Sequence, residues 1–175
     1  MRIILKTLGG VDDDTMEELR KSVNLVFGCP VEVRTGFNYL AHAYNPERKQ
    51  YLSPNLLHHL STPLREKNEK TVGVADIDLY APRLNFVFGQ ADISSETALV
   101  SLCRLRQEYY GLPTDEARLI ERATKEIVHE LGHTFGLEHC PNQKCVMHFS
   151  NCLADTDYKE LSFCSECRPK MRLVT

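Results

Sequence analysis

Three histidines and a glutamate stand at fixed spacing late in the chain: His129-Glu130-x-x-His133-x-x-Gly136-x-x-His139. Residues four apart share one face of a helix, so His129 and His133 can turn their imidazoles towards a single ion. Glu130, one position on, lies about 100° round the helix axis and can stand beside that ion without binding it. Gly136 can adopt the left-handed conformation that ends a helix, and the resulting turn can bring His139 back as a third nitrogen ligand. Three neutral imidazoles leave a tetrahedral zinc with one open position, the pattern of a catalytic centre. Zinc would acidify a water molecule and polarise a carbonyl, while Glu130 would take the water's proton and later pass it to a leaving amine. The competing reading is a set of surface histidines without metal. A bare H-E-x-x-H arises in about one chain in fifty of this composition, but the added glycine and third histidine lower that to the order of one in tens of thousands.

A second set of ligands follows at once. Cys140-x4-Cys145 and Cys164-x2-Cys167 supply four thiolates in two close pairs, and four sulfurs with no open position make a structural zinc site. Such a site would clip the tail, residues 140–175, onto the body of the chain and couple metal binding to local folding. Because Cys140 directly follows His139, the clip would also position the third histidine. Cys29 and Cys103 read as core residues, and Cys152 as a weak competitor for the clip.

The elements that must carry these residues are legible in part. Arg2–Leu8 reads as a buried strand. A helix follows, with Thr15 and Glu18 at capping-box spacing, an apolar stripe of Met16, Leu19, Val23 and Val26, and Gly28 and Pro30 as its stop. Val31–Val33 restarts a strand, giving a β-α-β opening. A more polar stretch, 42–70, contains Pro46, Pro54 and Pro63, with Ser53-Pro54 as a helix start and Leu56, Leu57 and Leu60 turned inward. Val72–Tyr80, Asn85–Gly89 and Ala98–Leu105 read as strands, and Tyr110-Gly111-Leu112-Pro113 as a turn. A long helix is expected from about Thr114 to Phe135, with Leu119, Ala123, Ile127 and Leu131 near one face. The tail from Cys140 shows little periodic structure.

Composition narrows the class. The chain has 175 residues, 21 Lys+Arg against 24 Asp+Glu, a net charge of −3, and 42% hydrophobic and 26% charged residues. The near balance of charge argues against a nucleic-acid-binding surface, and the hydrophobic content suits a folded globular domain. Seven cysteines, an odd count, exclude a fully paired disulfide framework in a monomer. The N-terminus lacks the long apolar run of a signal peptide, and no stretch approaches the roughly 20 apolar residues that span a bilayer. The expectation is a cytoplasmic monomer with no membrane or nucleic-acid partner, where closely spaced cysteines hold metal more often than they form disulfides.

Val146-Met147-His148 follows His139 shortly, and a methionine after this histidine pattern is the metzincin signature. The whole string, His129-Glu130-x-x-His133-x-x-Gly136-x-x-His139-Cys140-x4-Cys145-x-Met147 and then Cys164-x2-Cys167, resembles the archaemetzincin family. So do residues 74–80 (Val-Ala-Asp-Ile-Asp-Leu-Tyr), 85–92 (Asn-Phe-Val-Phe-Gly-Gln-Ala-Asp) and 109–113 (Tyr-Tyr-Gly-Leu-Pro). The resemblance implies an α/β metzincin fold with a mixed sheet: one catalytic domain over residues 1–175, an upper subdomain of about 1–136, a small zinc-clipped lower subdomain of about 137–175, and a cleft between them. It also implies that Met147 lies beneath the metal without ligating it, and that an edge strand above the cleft binds peptide by β-augmentation, for which Asn85–Gly89 is the candidate. The implied activity is peptide hydrolysis, aminopeptidase-like, on small or unstructured peptides. Tyr158 is a weaker candidate for an oxyanion-stabilising hydroxyl. His148 reads as packed or solvent-facing, and His42, His58 and His59 as surface residues. The alternative functional class is a non-enzymatic, zinc-stabilised peptide-binding module with a vestigial site, against which the presence of Glu130 counts. An extracellular disulfide protein fits the sequence least.

Overall fold

Ile3, Ile4 and Leu5 are fully buried, because the strand that carries them lies inside a sheet covered on both faces. The computed structural model describes residues 1–38, 40–61 and 68–171. Pro63 and the last four residues of the expected lower subdomain lie outside the described residues. The strands are β1 (Arg2–Leu8), β2 (Val31–Thr35), β3 (Tyr44–Asn45), β4 (Gln50–Leu52), β5 (Glu69–Ala75), β6 (Leu79–Tyr80), β7 (Gly89–Asp92) and β8 (Thr97–Ser101). The helices are α1 (Asp13–Phe27), α2 (Ser53–Ser61), α3 (Glu116–Thr134) and α4 (Leu153–Tyr158), with single 3-10 turns elsewhere.

The main sheet runs β2-β1-β5-β8-β7. Its first four strands are parallel, and β7 closes one edge antiparallel to β8, pairing Gly89 with Val100 and Asp92 with Thr97. A small sheet, β3-β4-β6, lies apart. Alternation along the strands divides the core. Ile3, Leu5, Val72, Val74, Ala98 and Val100 face α1 and α3, meeting Met16, Leu19 and Val23 from one helix and Leu119, Ala123, Ile127 and Leu131 from the other. Leu8, Ala75 and Leu99 face the opposite way, onto Leu56, Leu57 and Leu60 of α2. The chain is thus a mixed α/β protein. No helix among the described residues is long and apolar enough to cross a membrane.

Several expected boundaries move. The N-cap of α1 is Asp12 rather than Thr15: its carboxylate accepts the Thr15 amide and hydroxyl, both at 2.8 Å. A carboxylate outcompetes a hydroxyl at a position where donors are unpaired and the dipole is positive. The expected strand Val72–Tyr80 divides into β5 and β6, and Ala98–Leu105 ends at Ser101. Asn85–Phe88 is not a strand. The edge strand starts at Gly89, and the residues before it run as irregular chain. Arg48 holds that stretch through the carbonyls of Leu84 (3.3 Å) and Asn85 (3.0 Å), and the Gln50 side chain donates to Asn85 O at 2.9 Å. With the Asn85 carbonyl held by side chains, the segment makes only isolated backbone bonds, Val87 N–H to Leu79 O (3.0 Å) and Ser101 N–H to Phe88 O (2.8 Å), and the regular ladder begins at Gly89. The tail does hold one helix, α4, which starts where the Cys152 amide donates to the Asp155 carboxylate (3.1 Å).

Candidate metal centres and cleft

The last turn of α3 orders two of the three histidines. Helix α3 begins with Asp115 accepting the Arg118 amide. It ends in a Schellman arrangement, in which Gly136 N–H donates to His133 O (2.9 Å) and Leu137 N–H to Gly132 O (3.1 Å). Gly136 has φ 87°, a conformation costly for residues with a Cβ. The reversal puts the Leu137 carbonyl against His133 Nδ1 at 2.8 Å, while the Val146 carbonyl meets His129 Nδ1 at 2.8 Å. Carbonyls only accept, so both Nδ1 atoms carry the proton and both Nε2 atoms present a lone pair.

Those Nε2 atoms are 3.2 Å apart. Two ligands of a tetrahedral zinc at about 2.05 Å would be separated by about 3.3 Å. His139 completes the group, and the three offered ligand atoms lie within 4.8 Å of one another. Burial lowers the pKa of all three imidazoles, His129 the most, with the Lys159 ammonium acting in the same direction. Neutral imidazole is the ligating form, so the donor set fits zinc.

Glu130 lines the cleft with these histidines. Burial pushes its carboxyl up to about 8, helped by the neighbouring Glu126 and opposed by Lys159. A divalent cation among the imidazoles would act the other way. Glu130 fits only because residue 89 has no side chain. A Cβ on Gly89 would stand 2.8 Å from Glu130 Cγ, from Glu130 Oε1 and from the Leu99 carbonyl. Gly89→Ala is therefore expected to displace the carboxylate and lower kcat at least about tenfold, with metal content unchanged; steady-state kinetics and metal analysis check this. Gly132 plays the matching role on the other side, where a Cβ would overlap Met147 Sδ. Met147 is fully buried and packs against the turn of α3 that carries His129 and His133.

The four thiols also converge. Cys140, Cys145, Cys164 and Cys167 offer sulfurs within 4.8 Å of one another, and Cys140 Sγ lies 3.8 Å from Cys164 Sγ. That is the edge of a tetrahedron with zinc–sulfur bonds of about 2.3 Å, and too long for a disulfide. The Cys164 amide points at Cys145 Sγ (3.4 Å). Burial raises the Cys164 thiol, but the amides of Cys167 and Glu166 and the thiols beside it outweigh that and bring it to about 7. Four sulfurs this close ionise together only if a cation neutralises them, so this set fits zinc as well. Around it pack Val128, Leu137, Val146, Met147, Leu161 and Phe163. Cys152 stands apart at the start of α4 and is exposed. Cys29 and Cys103 are half-buried, and burial followed by the Asp78 and Asp76 charges raises Cys103 to about 11.

A cleft of about 500 Å³ opens over the histidines. One wall is the irregular chain from Leu84 and the edge strand β7; the other is Phe149, Ser150 and Asn151. Phe149 stands edge-on to His139, with ring centroids 5.0 Å apart. Tyr158 is not among the described residues lining this cleft; it is exposed, with Lys144 Nζ 4.4 Å from its ring centroid. His148 is packed, its Nδ1 donating to the Cys140 carbonyl at 2.9 Å. His42, His58 and His59 are exposed. Phe149, Glu126 and Lys159, and the role of Gly89 beside Glu130, escape the sequence reading. A lone glycine in a strand-like run is a signal of close backbone approach, and Glu126 is a charge on the cleft face one turn before Glu130. Nothing local marks Phe149 or Lys159.

The sequence profile of peptidase family M54 matches residues 13–173. An archaemetzincin of Methanocaldococcus jannaschii is 41% identical over 172 residues, covering 98% of this chain and 93% of that one. A solved structure of a zinc-dependent peptidase from Methanocorpusculum labreanum superposes with a TM-score of 0.89 at 31% identity, covering 97% of this chain and 99% of that one. The archaemetzincin structure from Archaeoglobus fulgidus gives a TM-score of 0.83 at 38% identity, again covering 97% and 99%. Joined to a three-histidine centre with its glutamate in a cleft, these likenesses show that the chain belongs to peptidase family M54, the archaemetzincins, and is a zinc metallopeptidase.

Proposed function

We propose that His129, His133 and His139 hold the catalytic zinc, that Cys140, Cys145, Cys164 and Cys167 hold a second, structural zinc, and that Glu130 is the general base. The observation that carries this reading is the convergence of three imidazoles beside one buried carboxylate in a cleft bounded by an edge strand. Zinc bound there supplies a Lewis acid that polarises the scissile carbonyl and makes water easier to deprotonate. Glu130 takes the proton of the attacking water on a carboxylate oxygen and delivers it to the departing amine. The outer edge of β7, which no strand among the described residues pairs, offers backbone donors and acceptors to an extended peptide, which would lie along it as an added strand. Such pairing requires a substrate without its own fold, hence small or unstructured peptides. Aminopeptidase-like action on such peptides belongs to the same proposal. Residues 1–175 act as one catalytic domain divided near Gly136. Four closely packed thiols need a reducing compartment to stay available for metal, which supports a cytoplasmic location; a monomer suffices, since both ligand sets come from one chain.

Zinc removal tests this reading. The purified protein is expected to hold two zinc ions, one stripped readily by chelator because His139 is exposed and one retained by the buried sulfurs. Cleavage of a mixed peptide library, read by mass spectrometry, should vanish with the first ion and return with added zinc. Peptides bound but never cut at full zinc loading would instead support the non-enzymatic binding module.

A further inference from the structure

Three side chains of the chain's last third converge on one carboxylate that hydrolysis does not use. Glu126 Oε1 receives Lys159 Nζ at 3.0 Å, the Thr156 hydroxyl at 2.9 Å and the Ser150 hydroxyl at 3.4 Å. Both ions are out of water, with side-chain exposures of 4% for Glu126 and 0% for Lys159. Lys159 Nζ also reaches the His148 carbonyl at 3.5 Å. Glu126 lines the cleft and stands one turn before Glu130 on α3, so this cluster sits at the joint between the helix and the opposite wall.

Stability does not account for the pair. Desolvating two ions costs several kcal/mol each, and well-packed apolar residues of the same volume do as well or better. Nor is the pair needed to hold α4, which is tied to α3 farther from the cleft. Arg122 grips Asp157 with two bonds of 2.6 and 2.7 Å, and Lys125 Nζ reaches the Thr156 carbonyl at 3.2 Å. What the pair supplies is direction. Oε1 sets the Ser150 hydroxyl and Lys159 sets the His148 carbonyl, so the segment between them, including Phe149 against His139, is fixed at both ends.

We propose that Glu126 and Lys159 are a positioning pair that holds the Phe149–Asn151 wall at a set distance from β7 and so determines how tightly a peptide is gripped along that strand. This rests on the peptidase reading above. The test uses the zinc-loaded full chain with Glu126→Gln, Lys159→Met, the double variant, and Asp157→Asn as a control that loosens the joint away from the cleft. Each single variant is expected to raise KM for a cleaved library peptide about tenfold with kcat within about threefold, and to speed amide hydrogen exchange in residues 148–151. The double variant, with no unpaired buried charge, is expected to recover most of both. The control is expected to lower Tm without moving either. Single variants that lower Tm but keep the parent's KM and exchange at 148–151 would overturn the proposal, as would a control that moves them equally. If the zinc-loaded parent cleaves nothing, the peptidase reading fails, while the exchange comparison still decides the pair. If Lys159→Met does not fold, Glu126→Gln against Asp157→Asn carries the same decision.

Discussion

Glu130→Gln is expected to lower kcat by about 10²–10⁴-fold while leaving KM within a few-fold and both zinc ions in place. Glutamine has the same shape and cannot accept the water's proton, so the change removes the base and little else. Metal content by elemental analysis and single-turnover cleavage of a library peptide check the two halves separately. A variant that cleaves as fast as the parent would remove Glu130 from the mechanism. A second outcome is specific to the metal-free protein. Burial raises the Glu130 carboxyl from 4.5 to about 8. The sign follows from linkage: a carboxyl whose folded pKa is raised favours the folded state while protonated, and that advantage is lost as pH rises through the folded value. Between about pH 4.5 and 8 the metal-free parent should therefore lose stability relative to metal-free Glu130→Gln, which carries no titrating proton there. Thermal denaturation in the presence of chelator, as a function of pH, shows the divergence.

Cys164→Ser is expected to have the largest effect on stability. Residues 137–171 contribute a small apolar cluster, in which Cys140, Cys145 and Cys167 are themselves buried members. So short a segment cannot order itself by burial alone; side chains of α3 tie down α4, and the proposed four-sulfur zinc site would hold the rest. Removing one ligand should cost more than about 4 kcal/mol, and zinc content should fall to one ion or fewer. Limited proteolysis should then cut between Cys140 and Met171 in the variant and not in the parent. The catalytic centre should weaken with it. His139 precedes Cys140, and Cys140 N–H donates to the Met147 carbonyl at 2.9 Å, so the proposed clip would hold the third imidazole too. An unchanged melting temperature with two zinc ions retained would show that the sulfurs carry no structural metal.

Legibility in the sequence followed the range of the interactions involved. The stripes of α1 and α3, the inward Leu56, Leu57 and Leu60, and the stop at Gly136 were readable because each depends on residues within a turn or two. The edge strand was misplaced because Asn85-Phe86-Val87-Phe88 has strand composition. Its start is held by Arg48 and Gln50, distant in sequence, at the Asn85 carbonyl, and its later backbone bonds go singly to Leu79 and Ser101. The sequence places the N-cap of α1 three residues late because three acidic residues and a threonine offer several caps of similar strength.

The same division holds for the site. The candidate ligands and their spacing were legible in the sequence alone, because helical periodicity and one glycine turn can bring His129, His133 and His139 together, while the folded tail brings the two close cysteine pairs to one another. Only the tertiary structure decided what surrounds them: Gly89 making room for Glu130, Gly132 making room for Met147, Phe149 against His139, and Lys159 buried on Glu126. These contacts join residues 10 to 41 positions apart. Coordination chemistry constrains neighbours along the chain, whereas the walls of a cleft are set by packing between elements.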